Sequence, residues 1–541
     1  MIMKRSPRKL TLGALLGRGY FPPELPPPFR TASFAHSARL ARLASLPQEL
    51  TKQKNDWCDF VSYSLARPGS LRRRLAILNP LAYFRLARFI VRHQHAILKK
   101  TGASDLSIGK PVVHLFGRLG RAVGYDAVPL RRALVRIGQR FLLVADVSRF
   151  YPSIYTHSID WAMSSKTRAK RQLRRRSKKL SVGASLDRLV QACQSGQTRG
   201  IPIGPAVSIL LSELVLARVD GRLKAQKVTT GFRYADDYEL NFSDRSQAER
   251  ALAVLEDALA EFELELNPAK TNVSELPQEL DNPGIQELRR FKFRPTYQAE
   301  RSDLLHFFTR AFALHRDFPD KPILRYAVSR LPASNVKAAN AALMQALILQ
   351  AVAYESGVWP MAIDQLLELH DAQPAVTTID IGTTVHSMIR KCAHLNHSSE
   401  VAWSLWAALV FKVKLSKGAV KAVSSMIDDC SSILLLHASH LGLTAVKPTQ
   451  STASKWFSSE ALRGPHWLLA YEPVVQGWVI PARTPDHISA DAVFDYLRKN
   501  NVRFYDPGEL ARTLAGEEEE EQDVKAKEDQ QGVRAIIGYG V

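Results

Sequence analysis

Three aspartates concentrate the chemistry available to this chain: Asp146, Asp236 and Asp237. Asp236 and Asp237 are adjacent within Tyr234-Ala235-Asp236-Asp237, and Asp146 closes the apolar run Phe141-Leu142-Leu143-Val144-Ala145. Tight turns favour Asp, so a pair in a turn is ordinary by itself. A third carboxylate at a strand end changes that reading. Three carboxylates gathered at strand ends can hold two divalent ions about 3.5–4 Å apart, which clamps the attacking and leaving oxygens in phosphoryl transfer. Mg²⁺ suits such a site because it takes oxygen ligands from a few carboxylates, water and substrate phosphates. On this reading Asp146 and Asp236 are metal ligands, Asp237 supports them, and the backbone carbonyl of Val147 completes the coordination.

The elements around these residues follow from periodicity. Phe141 to Ala145 reads as a buried strand. Phe232 and Tyr234, then Tyr238, Leu240 and Phe242, alternate with other residues, the period of a half-buried strand. Gly231 to Phe242 is therefore expected to be a hairpin with the aspartates at its turn. Ser246-Gln247-Ala248-Glu249 is a capping box. Leu252, Leu255, Leu259, Phe262 and Leu266 then recur on one face, which predicts a helix lying against a sheet. The proline-rich stretch from Gly19 to Phe29 predicts an extended segment packed on a surface. Ser70 to Lys100 reads as mostly helical and basic, with Arg72-Arg73-Arg74 near its start.

Four motifs in order resemble those of reverse transcriptases. Asp146 to Tyr155 is similar to the first catalytic motif and Tyr234 to Asp237 to the YxDD motif. Between them, Gly200-Ile201-Pro202-Ile203-Gly204-Pro205-Ala206-Val207-Ser208 resembles the segment beneath the template and incoming nucleotide. Leu266-Asn267-Pro268-Ala269-Lys270-Thr271 resembles the later motif whose lysine approaches the triphosphate. Tyr155-Thr156-His157-Ser158-Ile159, Ala192-Cys193-Gln194 and Gly19 to Pro27 look like bacterial abortive-infection reverse transcriptases. Many reverse transcriptases have Gln-Gly where this chain has Ile203-Gly204.

The resemblance implies an α+β fold: a fingers–palm core followed by an all-α, solenoid or HEAT-like C-terminal domain. It also implies a homo-oligomer in phage defence that uses Mg²⁺ and deoxynucleoside triphosphates, binds RNA or single-stranded DNA, and in some members primes DNA from a protein hydroxyl without a template. A non-catalytic RNA-binding scaffold and a retron-like enzyme copying a dedicated RNA are the alternatives. Residue by residue, Lys270 would serve the leaving pyrophosphate, and Phe150, Tyr151, Gly204 and Pro205 would form the nucleotide site. Tyr151 would be the steric gate against a ribose 2′-hydroxyl, with a plain core tyrosine as the alternative. Arg131, Arg132 and Arg136, the nearest basic residues before Asp146, stand as triphosphate-binding candidates.

Beyond the motifs, apolar helical segments follow one another: Leu304–Phe318, Val336–Ala353, Met361–Leu369, Val401–Lys412 and Ala419–Leu443. They predict an α-solenoid or a bundle. Trp403, Trp406, Trp467 and Trp478 either stack on bases or pack a core. The expected division is 1–140 for an N-terminal and fingers-like region, 141–300 for the palm, 301–515 for the helical domain and 516–541 for a charged tail. In 541 residues, 74 Lys and Arg against 52 acids leave a net charge of +22, which suits a polyanionic partner. Nine of those basic residues lie between Lys166 and Lys179. That run is either a phosphate-binding surface or a solvated insertion. Four scattered cysteines fit no disulfide framework and suggest the cytoplasm. No apolar run approaches the ~20 residues of a membrane span.

Glu517 to Glu521 opens a charged tail that ends in Ile536-Ile537-Gly538-Tyr539-Gly540-Val541. Such a tail is expected to be disordered. Its linker would span ~25 Å on average, which makes Tyr539 a candidate priming residue, with Tyr20 as its competitor.

Overall fold

A computed structural model describes residues 9–40, 46–51, 56–69, 71–114, 119–124, 127–174, 180–448, 458–480 and 486–514. Two small antiparallel hairpins precede the main sheet: β1 (Val61–Ala66) with β2 (Arg72–Ile77), and β3 (Pro111–Val113) with β4 (Leu119–Arg121). The predicted helix over Ser70 to Lys100 is thus part strand. Arg72, Arg73 and Arg74 pair with Ala66, Leu65 and Ser64, and the helix Pro80–Thr101 begins only after the cap at Asn79. Composition favours a helix there, but cross-strand pairing decided otherwise.

The main sheet is antiparallel in the order β6-β7-β5-β8 and uses β5 (Phe141–Asp146), β6 (Gly231–Tyr234), β7 (Asp237–Phe242) and β8 (Asn272–Glu275). The expected strand and hairpin are both present. Period-two alternation sends Leu143 and Ala145 on β5, and Tyr238 and Leu240 on β7, into the core. Asp146 and Asp237, which pair with each other across the two strands, share the opposite face. The helices Val207–Ala225 and Arg245–Ala260 pack together, and the second lies against β5 and β7. Its N-cap is Asp244, whose extended backbone lets its carboxylate accept the Gln247 N–H. The capping box therefore starts earlier than Ser246, whose hydroxyl instead donates to Asp244.

The C-terminal half is helical. Its helices include Tyr297–Asp317, Ile323–Ser329, Ala338–Tyr354, Trp359–Ala372, Ile379–Cys392, Ser398–Val410, Lys417–Ser424 and Asp429–His440. The long segment expected over Ala419–Leu443 is broken because Asp428 caps a new helix by accepting the Ser431 N–H. Neighbouring helices pack on one another and on the next but one. One continuous apolar core runs from Leu10 through the sheet into these helices, so the expected regions 1–140, 141–300 and 301–515 share an interior. Trp406 and Trp467 are buried, Trp403 donates to the Glu24 carbonyl, and Trp478 stacks on His437, all structural uses. The four cysteines are buried and free. Among the described residues no helix is long and apolar enough to cross a membrane.

Candidate active site

The sheet register brings the aspartates together. Asp146 at the end of β5 is the direct partner of Asp237 at the start of β7, and Tyr234 pairs with Asp237 across the turn. Ala235 and Asp236 form that turn, with Ala235 left-handed at φ 57°. A non-glycine residue there costs free energy and persists only where its surroundings hold it. Arg233 does the holding. Its guanidinium is fully buried and donates to the Ala235 carbonyl at 2.7 Å. It also pairs with Glu213 at 2.7 Å and Asp220 at 2.6 Å. Tyr238 donates its hydroxyl to Asp220 at 2.9 Å. Burial opposes the Arg233 charge, but Asp220 and Glu213 hold its pKa well above the ordinary value.

The three aspartates are answered less completely, by cations that are exposed or farther away. Asp237 is open to solvent, yet desolvation, and then the charges of Asp236 and Asp146, push its carboxyl up to about 7. Asp236 is raised by burial against the opposing pull of Arg121 and Arg73. Asp146 is buried. It accepts from Asn267 Nδ2 at 3.1 Å, and the Lys270 ammonium lies 3.4 Å from it. Like charges set directly opposite each other repel. A divalent cation is the natural partner for such a donor set: hard carboxylate oxygens, crowded and incompletely neutralised. Val147 is buried at the strand end, bridged to Leu266.

Asp236 lines a cavity of about 1180 Å³ together with Arg73, Arg121, Tyr151, Gly204 and Pro205. Of the sequence-predicted nucleotide site, Tyr151, Gly204 and Pro205 are thus brought to Asp236. The Tyr151 ring packs edge-on to Phe150, and its hydroxyl accepts from Ser212 at 3.4 Å. Gly204 has φ 129°, and a Cβ there would meet Pro22 Cγ at 2.6 Å. Only glycine lets the proline-rich N-terminal segment, which lines the same cavity, come so close.

Other predicted residues lie elsewhere. Phe150 is buried and does not line the cavity, because the short turn Phe150–Ser153 directs it into the core. Arg132 is engaged by Glu239 and the Leu280 carbonyl, Arg136 reaches the carbonyls of Gln278 and Glu279, and Arg131 also stands outside the cavity lining. Their proximity to Asp146 is one along the chain. Among the described residues five arginines line the cavity, Arg18, Arg30, Arg39, Arg73 and Arg121; those whose charge acts on Asp236 are Arg73, on β2, and Arg121, on β4 above the Tyr234 ring at 5.6 Å. Their signal was an arginine at an alternating strand position, invisible until β1–β2 and β3–β4 were recognised as hairpins. Tyr20 is fully buried, stacks on Tyr83 at 4.2 Å and donates to the Leu78 carbonyl at 2.6 Å. Its hydroxyl is thereby committed to the core. Tyr539 and the rest of the tail lie outside the described residues, as does part of the basic run. Lys166, at the start of that run, sits over the Trp161 ring at 4.3 Å and pairs with Glu263.

Residues 90–293 match the family described as Reverse transcriptase (RNA-dependent DNA polymerase). The matched segment contains all four motifs and the whole main sheet; β1 and β2, with Arg73, precede it. No curated protein matches the chain. Residues 90–293 are thus similar to a reverse transcriptase domain, and they are joined to a largely helical C-terminal half.

Proposed function

We propose that this protein is a DNA-synthesising enzyme that adds deoxynucleotides to a primer hydroxyl and acts in antiphage defence. The observation that supports this most is the register pairing of Asp146 with Asp237, beside Asp236, at a cavity lined by Arg73 and Arg121. Asp146, Asp236 and Asp237, with the Val147 carbonyl, would hold Mg²⁺, which when bound lowers the pKa of the primer hydroxyl and offsets phosphate charge. Arg73 and Arg121 would take the triphosphate through charge-assisted hydrogen bonds. Lys270, now resting on Asp146, would move its ammonium toward the departing pyrophosphate. Tyr151 would close the space where a 2′-hydroxyl would lie, and Gly204 would let backbone approach the nucleotide.

The finer parts of the reading rest on the sequence resemblance. The helical half would stand in place of a thumb as a helical-repeat domain, the assembly would be a homo-oligomer, and DNA would start from a protein hydroxyl, for which Tyr539 is the remaining candidate. The test is direct. Purified protein with Mg²⁺ is expected to incorporate labelled deoxynucleotides, and cells carrying it to lower phage plaque counts. Mass spectrometry of nuclease-trimmed protein is expected to find a nucleotide on Tyr539. An adduct on another residue would reject that priming site, and absence of any incorporation would reject the enzyme.

A further inference from the structure

The β1–β2 hairpin has two working faces. Arg73 and Leu75 on β2 line the cavity. Arg72, one residue away and so on the opposite face, points to the helical half. There it makes a bidentate pair with Glu400, Nη1 to Oε1 at 2.6 Å and Nη2 to Oε2 at 2.7 Å. Glu400 lies in the first turn of the helix Ser398–Val410, which packs against β1. The residue before it, Ser399, accepts the Ala66 N–H at 2.8 Å and donates to Glu400 Oε2 at 2.7 Å. Ala66 and Arg72 are cross-strand partners. The helical half therefore grips the turn end of the hairpin on both strands at once. Farther along β2, the Ala76 N–H donates to the Ile203 carbonyl at 2.7 Å, beside Gly204. Arg73 is thus held between two fixed points, one in each half of the protein.

Glu400 is 5% exposed, and burial alone would raise its pKa. Hydrogen bonds from Arg72 and Ser399 hold it below the ordinary value instead. Cys392, His397 and Glu400 could together offer metal ligands, their atoms lying within 4.8 Å of one another. However, burial pushes the Cys392 thiol up to about 11, and Arg72 already occupies both Glu400 oxygens. An ion pair that locks the hairpin explains the arrangement without a metal.

We propose that Glu400 is a positioning residue for nucleotide binding: through Arg72 it sets the β1–β2 hairpin so that Arg73 faces the triphosphate. The C-terminal half then tunes affinity for the nucleotide without touching it. This rests on the polymerase reading of the cavity, so both binding and turnover are to be measured. The experiment compares wild type, Glu400→Gln, Arg73→Ala, their double variant, and the charge swap Arg72→Glu with Glu400→Arg. For each, dATP affinity with Mg²⁺ is measured by calorimetry, dATP incorporation by kcat and KM, and folding by thermal melting.

Glu400→Gln is expected to weaken dATP binding and raise KM roughly tenfold, with kcat changed by less than about twofold. The double variant is expected to be no weaker than Arg73→Ala alone, and the charge swap to recover most of the affinity. A purely structural pair would lower the melting temperature and leave the dATP affinity of the folded fraction unchanged, which overturns the proposal. Additive effects of Glu400→Gln and Arg73→Ala would overturn it too. Wild type that incorporates dATP while Glu400→Gln binds it normally rejects the proposal and leaves the polymerase reading standing. Binding that depends on Glu400 in a protein without incorporation does the reverse, and wild type that binds no dATP rejects both.

Discussion

Two acidic clusters flank the same hairpin and are treated in opposite ways. Glu213 and Asp220 are almost completely buried, and Arg233 answers both with hydrogen-bonded pairs. Asp146, Asp236 and Asp237 sit at the turn that Arg233 holds, and the nearest cation, Lys270, is 3.4 Å from one of them and largely exposed. The first cluster is complete within the chain. The second is left short of positive charge, with Asp237 pushed up to about 7. The buried pair arrives with its counter-ion, whereas the three aspartates are left crowded and the fold bears the repulsion, the contrast that the proposed cation site would account for. The left-handed Ala235 belongs to the same pattern, as strain tolerated at a working site.

Breaking each cluster should therefore have opposite consequences. Asp236→Ala with Asp237→Ala is expected to lower deoxynucleotide incorporation by about 10³-fold or more while the protein stays folded. Circular dichroism and a primer-extension assay check the two halves of that statement, and a folded double variant with wild-type activity would remove these residues from catalysis. Arg233→Met should do the reverse at the level of stability. It leaves Glu213 and Asp220 buried and unpaired, at a cost of about 3–5 kcal/mol. Urea denaturation measures this, and a loss below about 1 kcal/mol would mean that the network is not what holds the turn.

Smaller changes sharpen the contrast. Tyr151→Ala is expected to relax the preference for dATP over ATP by roughly tenfold. An unchanged ratio, with both nucleotides offered side by side, would return Tyr151 to a packing role. The smallest effect is a pH dependence. The folded pKa of Asp237 lies above its ordinary value of 3.8, so the folded protein keeps a proton there that the unfolded chain has lost. Stability from this group is present at acid pH and lost as pH rises through about 7. Metal-free wild type should thus lose melting temperature between about pH 5 and pH 8, Asp237→Asn should flatten that slope, and Mg²⁺ should recover the loss near pH 8. A slope identical in wild type and Asp237→Asn would assign the titration to other groups, of which buried Glu472 and Glu355, each also raised by burial to about 7, are the first to test.

The aspartates, their strand and their hairpin were legible because each signal is local: a continuous apolar run marks β5, period-two residues mark β6 and β7, and the turn itself carries Asp236 and Asp237. The helices of the C-terminal half were legible where long apolar stretches ran unbroken, and were missed at Ile323–Ser329 and Ile379–Cys392, where the stretch is short or polar on one face. The arginines that line the cavity beside Asp236 were not legible. Arg131, Arg132 and Arg136 are near Asp146 along the chain, but their helix faces Glu239 and the loop around Leu280.

The residue types and order of the motifs were thus determined by the sequence alone, since carboxylates at strand ends require only short-range pattern. Tertiary structure alone decided which basic residues meet them. Arg73 and Arg121 reach the cavity from strands whose pairing joins residues distant from the motifs. Tyr20 was likewise removed from the surface by packing against Tyr83 and Leu78. Arg72 was given to Glu400, 328 positions away. Burial and long-range ion pairing are properties of the assembled core, and no window along the chain contains both partners.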